Sequence, residues 1–165
     1  MPVTHKPPFD LPALTWHQVS PKFITVKLIS QLLTHLVLFG VLAGVASLTN
    51  WQWLWWVGGS ILSLGLLNLL FVPRRVRAIG YAEREEDLLL REGLLVRNLT
   101  VVPYGRMQYI EVSSGPIMRR YGLATVDLKT AAGSAKISVP GLPADQAEQL
   151  RDHLAVLGES RMAGL

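Results

Sequence analysis

From Leu28 to Val72 the chain carries no Lys, Arg, Asp or Glu, although 17% of its residues are charged. A domain in water interleaves charge with apolar residues so that each helix keeps one wet face. An uninterrupted block instead calls for segments that are apolar all round, the pattern of membrane-crossing helices. The block divides at Thr49-Asn50 into residues 28–48 and residues 51–72. Each run is close to the roughly 20 residues that a helix needs to cross about 30 Å of hydrocarbon.

So short a connection cannot recross the bilayer, so the two runs predict a hairpin whose outer ends lie on one side. Lys6, Lys22 and Lys27 precede the block, and Arg74, Arg75 and Arg77 follow it. Positive charge next to a span marks the cytoplasmic side. The expected topology is therefore a multi-pass protein of the inner (plasma) membrane with both termini in the cytoplasm. The basic balance, a formal net charge of +4, reads as topology rather than nucleic-acid binding, because beyond Arg77 acidic and basic residues are mixed and no aromatic-basic platform appears. Trp51, Trp53, Trp55 and Trp56 gather at the turn end of the second run, where indole rings favour the polar boundary of a bilayer.

A cleavable signal peptide is the rival reading, with Gly44-Val45-Ala46 as a loose cleavage site. Against it, the apolar run is long, begins after a polar leader containing prolines, and is followed at once by another. Within the runs, Gln31 and His35 share a helix face, and Ser63 and Asn68 are positioned to meet them from the second run. Interhelical hydrogen bonding accounts for such a group, and a proton or ion path is the alternative. Gly40 and Gly44 have GxxxG spacing, and Gly58, Gly59 and Gly65 add small surfaces to the second run, all suited to close helix packing.

After the arginines, which with Pro73 are expected to end the second span sharply, the pattern becomes short alternating stretches bounded by turn residues, the signature of half-buried strands. Strands are predicted at residues 81–84, 87–91, 94–102, 106–113, 123–129 and 135–139. Glu92-Gly93 and Ala132-Gly133-Ser134 read as tight turns. Ala147, Leu150, Leu154 and Leu157 then share one face of a helix predicted over 143–157, with Pro143 in its first turn and Gly158 as its stop. The expected organisation is a leader over 1–27, a two-helix transmembrane hairpin over 28–72, and a cytoplasmic β-rich domain over 73–165 closed by the C-terminal helix.

The segment from Leu89 to Gly133 resembles the bacterial pleckstrin-homology-like (PH-like), YdbS-type family of membrane-flanked domains. The resemblance rests on Arg91 and Gly93, on Val102-Pro103 followed by Arg106 and Gln108, on Gly115-Pro116 with Arg119-Arg120, on Tyr121-Gly122-Leu123, and on Thr130-Ala131 before Gly133. It implies a PH-like barrel and a membrane protein acting beside a related partner. It implies no phosphoinositide specificity, since a fold does not carry a ligand with it.

No catalytic constellation is visible. The chain has no cysteine, which excludes disulfides, thiolate metal sites and cysteine nucleophiles. His5, His17, His35 and His153 lack metal-ligand spacing. Glu83, Glu85, Glu86 and Asp87 cluster, but turn and strand geometry splays them into a solvated surface. The expectation is accordingly of no enzyme, no cofactor and no metal. The candidate contact residues are Arg119, Arg120 and Tyr121, set in a loop with Ile117 and Met118, together with Arg74, Arg75 and Arg77. Their expected partners are the lipid bilayer and another membrane protein, a PH-like relative being the leading candidate. Recognition of anionic lipid is the second reading, and a transporter or membrane-enzyme subunit using Gln31, His35 and Asn68 is the third.

Overall fold

The structure, a computed structural model, describes residues 14–49, 51–94, 96–130 and 136–162. Two apolar helices, α1 (Lys22–Thr49) and α2 (Trp53–Leu69), pack along each other. Among the described residues, α1 with its 28 residues is the one helix long and apolar enough to cross a membrane, while α2 has 17. At 1.5 Å per residue α2 extends about 25 Å. The second run does not continue as one helix to Val72. It turns at Leu70 and Phe71, and a short helix α3 (Val72–Arg77) begins. Pro73 therefore opens a helix rather than ending one, because in the first turn its missing N–H has no partner to lose.

The two long helices meet through glycine. A side-chain carbon on Gly65 would overlap the His35 imidazole, and one on Gly58 would lie 3.3 Å from Phe39 Cδ2. Gly40, Gly44 and Gly59 have open space at the same position, so the GxxxG pair of α1 faces away from α2. His35 Nδ1–H donates to the Gln31 carbonyl at 2.7 Å. Hydroxyls of Thr34, Ser47, Thr49 and Ser60 donate to the carbonyl four residues earlier on their own helix. That return bond lets a polar side chain occupy an apolar helix without an orphaned donor.

Among the described residues there are seven strands, which include one at each of the six predicted places, and they form two antiparallel sheets. The first sheet has the order β1 (His17–Gln18), β2 (Gly80–Glu83), β3 (Asp87–Glu92), β4 (Asn98–Pro103). The second has the order β5 (Met107–Ser113), β6 (Leu123–Thr130), β7 (Lys136–Pro143). A 3₁₀ turn at Tyr104–Arg106 separates them. The strand expected from Leu94 starts only at Asn98, which pairs with Glu92, so the connection after Gly93 is longer than a tight turn. The turn expected at Ala132-Gly133-Ser134 lies outside the described residues. β1 joins residues of the expected leader to the sheet, with His17 stacked on Tyr81 at 5.3 Å and the Arg91 guanidinium 4.7 Å above Trp16.

Helix α5 (Ala144–Met162) closes the domain. Ala147, Leu150 and Leu154 bury themselves against Leu88, Leu90, Val126 and Leu128 from both sheets. Each buried leucine contributes about 1.5–3 kcal/mol of transfer free energy. Two boundaries differ from expectation. Pro143 ends β7, and α5 runs through Gly158 instead of stopping there. Gly158 is buried near the Tyr104 carbonyl, and packing outweighs the roughly 1 kcal/mol that a glycine costs a helix.

Candidate functional site

The basic residues singled out from the sequence gather where the helices enter the sheet domain. Phe23 and Val26 of α1, Val72 and Val76 of α3, and Leu123 at the start of β6 form a buried apolar cluster. Helix α4 (Pro116–Arg120) packs on it through Ile117 and Met118, and Tyr121 follows. The arginine pair thus sits on a helical turn, not in a loop. Ile117, Met118 and Tyr121 are partly buried against this cluster. Part of their apolar surface is covered within the chain.

One backbone feature ties this junction together. Gly141 adopts φ +71° at an irregularity where β7 slips against β6. A bulge of this kind needs a left-handed residue, and glycine takes that conformation without steric cost. A side chain there would collide with the Phe23 ring, and the Gly141 carbonyl accepts the Ser20 N–H at 2.9 Å. Phe23 is only 3% exposed. The base of α1 is therefore seated on the sheet, not tethered by a free linker.

Around the seat, Arg74, Arg75 and Arg77 of α3 and Arg119 and Arg120 of α4 are exposed, as are Lys22 and Lys27 of α1. Among the described residues none of these five arginines has an ion pair with a carboxylate. The arrangement is a collar of uncompensated positive charge where the helices meet the domain.

The acidic cluster has a different role. Arg84 lies 3.6 Å from Asp87, and His153 of α5 meets Glu83 at 2.8 Å. The loop that carries it is held by the Tyr104 hydroxyl, which donates to the Arg84 carbonyl at 2.9 Å. Burial, with Glu83 adding negative charge, raises the pKa of both Tyr81 and Tyr104 above the usual phenol value. Among the described residues no three His, Asp or Glu side chains lie close enough to hold a metal ion. His17 stacks on Tyr81, His35 bonds the Gln31 carbonyl and His153 meets Glu83, while His5 lies outside the described residues.

One polar site escaped the sequence. Asp127, a charged residue within β6, is only 5% exposed. It accepts hydrogen bonds from Ser138 at 2.5 Å and Ser113 at 3.1 Å, one from each neighbouring strand. Its signal is a cross-strand one, since Ser138 lies directly opposite it in the β6–β7 register. That pairing is invisible until the register is known. It binds three strands together, which is a structural role.

A profile of the bacterial PH domain family matches residues 21–157, and the chain belongs to that family. It is a PH-like β-sheet domain with a C-terminal helix, preceded by apolar helices. The chain is also similar to the UPF0699 transmembrane protein YdbS of Bacillus subtilis (strain 168), with 29% identity over 147 residues that cover 86% of this chain and 91% of that protein. Among solved structures it is similar to a protein with a pleckstrin-homology domain from Shewanella loihica PV-4. That similarity has 15% identity and a TM-score of 0.41, and it covers 51% of this chain and 74% of the other.

Proposed function

We propose that this protein is a non-catalytic, membrane-anchored interaction module. In this reading α1 and α2 both cross the membrane as a hairpin, both termini face the cytoplasm, and the PH-like domain holds a second membrane protein carrying a related domain. The observation that carries the proposal is the seat of Phe23 on Gly141, since a domain fixed rigidly to the base of its anchor presents one orientation to a neighbour in the same membrane. Other features support it. The relative YdbS is a transmembrane protein by name. The 17 residues of α2 fall at the short end of the range that spans. Trp51, Trp53, Trp55 and Trp56 are all exposed at the far end of the hairpin, as interfacial anchors would be. Among the described residues β4 and β5 each lie at the edge of a sheet, where backbone groups can meet a partner strand.

Affinity copurification from mild-detergent membranes, with an Arg119→Glu/Arg120→Glu variant alongside, tests the partner. A stoichiometric membrane protein lost in the variant supports the module and locates its face; its absence from the wild-type sample removes the partner reading. Topology is tested separately in this cysteine-free chain. A cysteine at Gln52 should react with an impermeant thiol reagent from outside and one at Glu111 should not.

A second reading, recognition of anionic lipid, is favoured by the unpaired arginine collar. Basic residues near an anionic leaflet contribute about 1 kcal/mol each. Vesicle binding left unchanged by charge reversal at Arg119 and Arg120 argues against it.

A further inference from the structure

An open groove of about 590 Å³ lies between the end of α2 and the β3–β4 connection. Leu64, Leu67 and Phe71 form one helical stripe along it, and they are 67%, 55% and 45% exposed. At its domain end the groove is lined by two opposite charges, Arg75 from α3 and Glu92 from the end of β3. Neither is ion-paired to the other or to any described residue. Asn68, whose buried Oδ1 has no hydrogen-bond partner, also lines the groove.

We propose that this groove binds one zwitterionic, amine-bearing phospholipid of the phosphoethanolamine class. The proposal rests on the hairpin reading above, which places the stripe at acyl-chain depth and Arg75 among headgroups. One acyl chain covers Leu64, Leu67 and Phe71, whose exposure has no counterpart in water. The Arg75 guanidinium takes the phosphate in paired, charge-assisted hydrogen bonds. The Glu92 carboxylate takes the ammonium. The pair of charges selects the class: an anionic headgroup leaves Glu92 facing like charge, and a cationic amphiphile does the same to Arg75. A zwitterion satisfies both.

Native mass spectrometry of the full-length chain in mild detergent tests this, with dioleoyl phosphatidylethanolamine, dioleoyl phosphatidylglycerol and free phosphoethanolamine as probes. The expected result is a 1:1 phosphatidylethanolamine adduct and about tenfold less phosphatidylglycerol adduct at equal concentration. Arg75→Gln should reduce both adducts about tenfold, and Glu92→Gln should erase the preference between them. Both side chains are exposed, and an unchanged urea midpoint checks that each variant folds. Equal adducts in the wild-type chain, a phosphatidylethanolamine adduct indifferent to both variants, or full competition by free phosphoethanolamine overturns the proposal. Alkaline carbonate extraction separates the two layers of the argument. Release of the chain from membranes defeats the hairpin reading, whereas a chain that stays in the membrane but shows no phosphatidylethanolamine adduct defeats the groove alone.

Discussion

If the Phe23–Gly141 contact seats the domain on its anchor, its two residues must be energetically coupled, and the coupling has a calculable sign. Phe23→Ala removes a buried aromatic side chain, a loss of about 3–4 kcal/mol. Gly141→Ala carries two separate penalties. Holding alanine at φ +71° costs about 1 kcal/mol. Displacing the Phe23 ring, into which the new methyl projects, costs about 2 kcal/mol more. In a Phe23→Ala background the ring is gone and only the Cβ of residue 23, at 2.7 Å, stays in the way, so Gly141→Ala sheds the ring share and keeps its backbone share of about 1 kcal/mol together with that residual contact. The double variant is then about 2 kcal/mol more stable than the two single losses predict together. Urea unfolding in detergent, followed by the β-sheet circular dichroism of the domain, reads this directly. With a slope of about 2 kcal/mol per molar, the coupling is a shift of roughly 1 M in midpoint. Additive losses would show that the ring and the bulge act independently, and the seat would no longer explain the domain's placement.

Other positions make independent claims. Asp127→Ala leaves the hydroxyls of Ser113 and Ser138 without their acceptor and should cost about 3 kcal/mol, while Asp127→Asn keeps one acceptor oxygen and should cost less, both read from the urea midpoint. Tyr104 has a folded pKa raised chiefly by burial, so the stability it contributes is full below its unfolded value near 10 and is lost as pH rises through the folded value. Tyr104→Phe should therefore lie about 1 kcal/mol below wild type at neutral pH for want of the bond to Arg84, and the gap should narrow in an alkaline unfolding series. Gly65→Val should separate the long helices by striking His35, whereas Gly40→Ala, with open space around it, should be neutral; the mobility of the compact hairpin on detergent gels distinguishes them.

The architecture was legible because its signals are local. Alternation in Leu123–Thr130 and the shared face of Ala147, Leu150 and Leu154 are properties of a few adjacent residues, and both elements form where those patterns lie. The misjudged boundaries at Gly158 and Pro73 have separate causes. Gly158 lies within α5 because it sits beside the Tyr104 carbonyl. Pro73 sits in the first turn of α3, where a proline is tolerated. The strand His17–Gln18 is too short to carry a period, and it exists only because β2 offers an edge.

The site was legible in residue type but not in arrangement. The arginines at 74, 75, 77, 119 and 120 were conspicuous as charges, yet that α3 and α4 flank one base of α1 is a property of the fold, since more than forty residues separate the two groups. The apolar residues beside Arg119 looked like contact surface because the sequence does not show Phe23 and Val76 closing over them. Glu92 is the sharper case. As one carboxylate after a strand it reads as ordinary solvated turn chemistry, and it acquires meaning only when the β3–β4 connection brings it to the groove that Arg75 also lines. Opposite charges that share a groove without pairing face a ligand that separates its own charges, and neither residue alone predicts that ligand. Reversing both charges, Arg75→Glu with Glu92→Arg, should therefore preserve a zwitterion's complement in composition while inverting its order along the groove. Loss of phosphatidylethanolamine binding in that variant is the outcome the geometry requires, because the phosphate and the ammonium of a lipid cannot exchange places relative to the acyl chain.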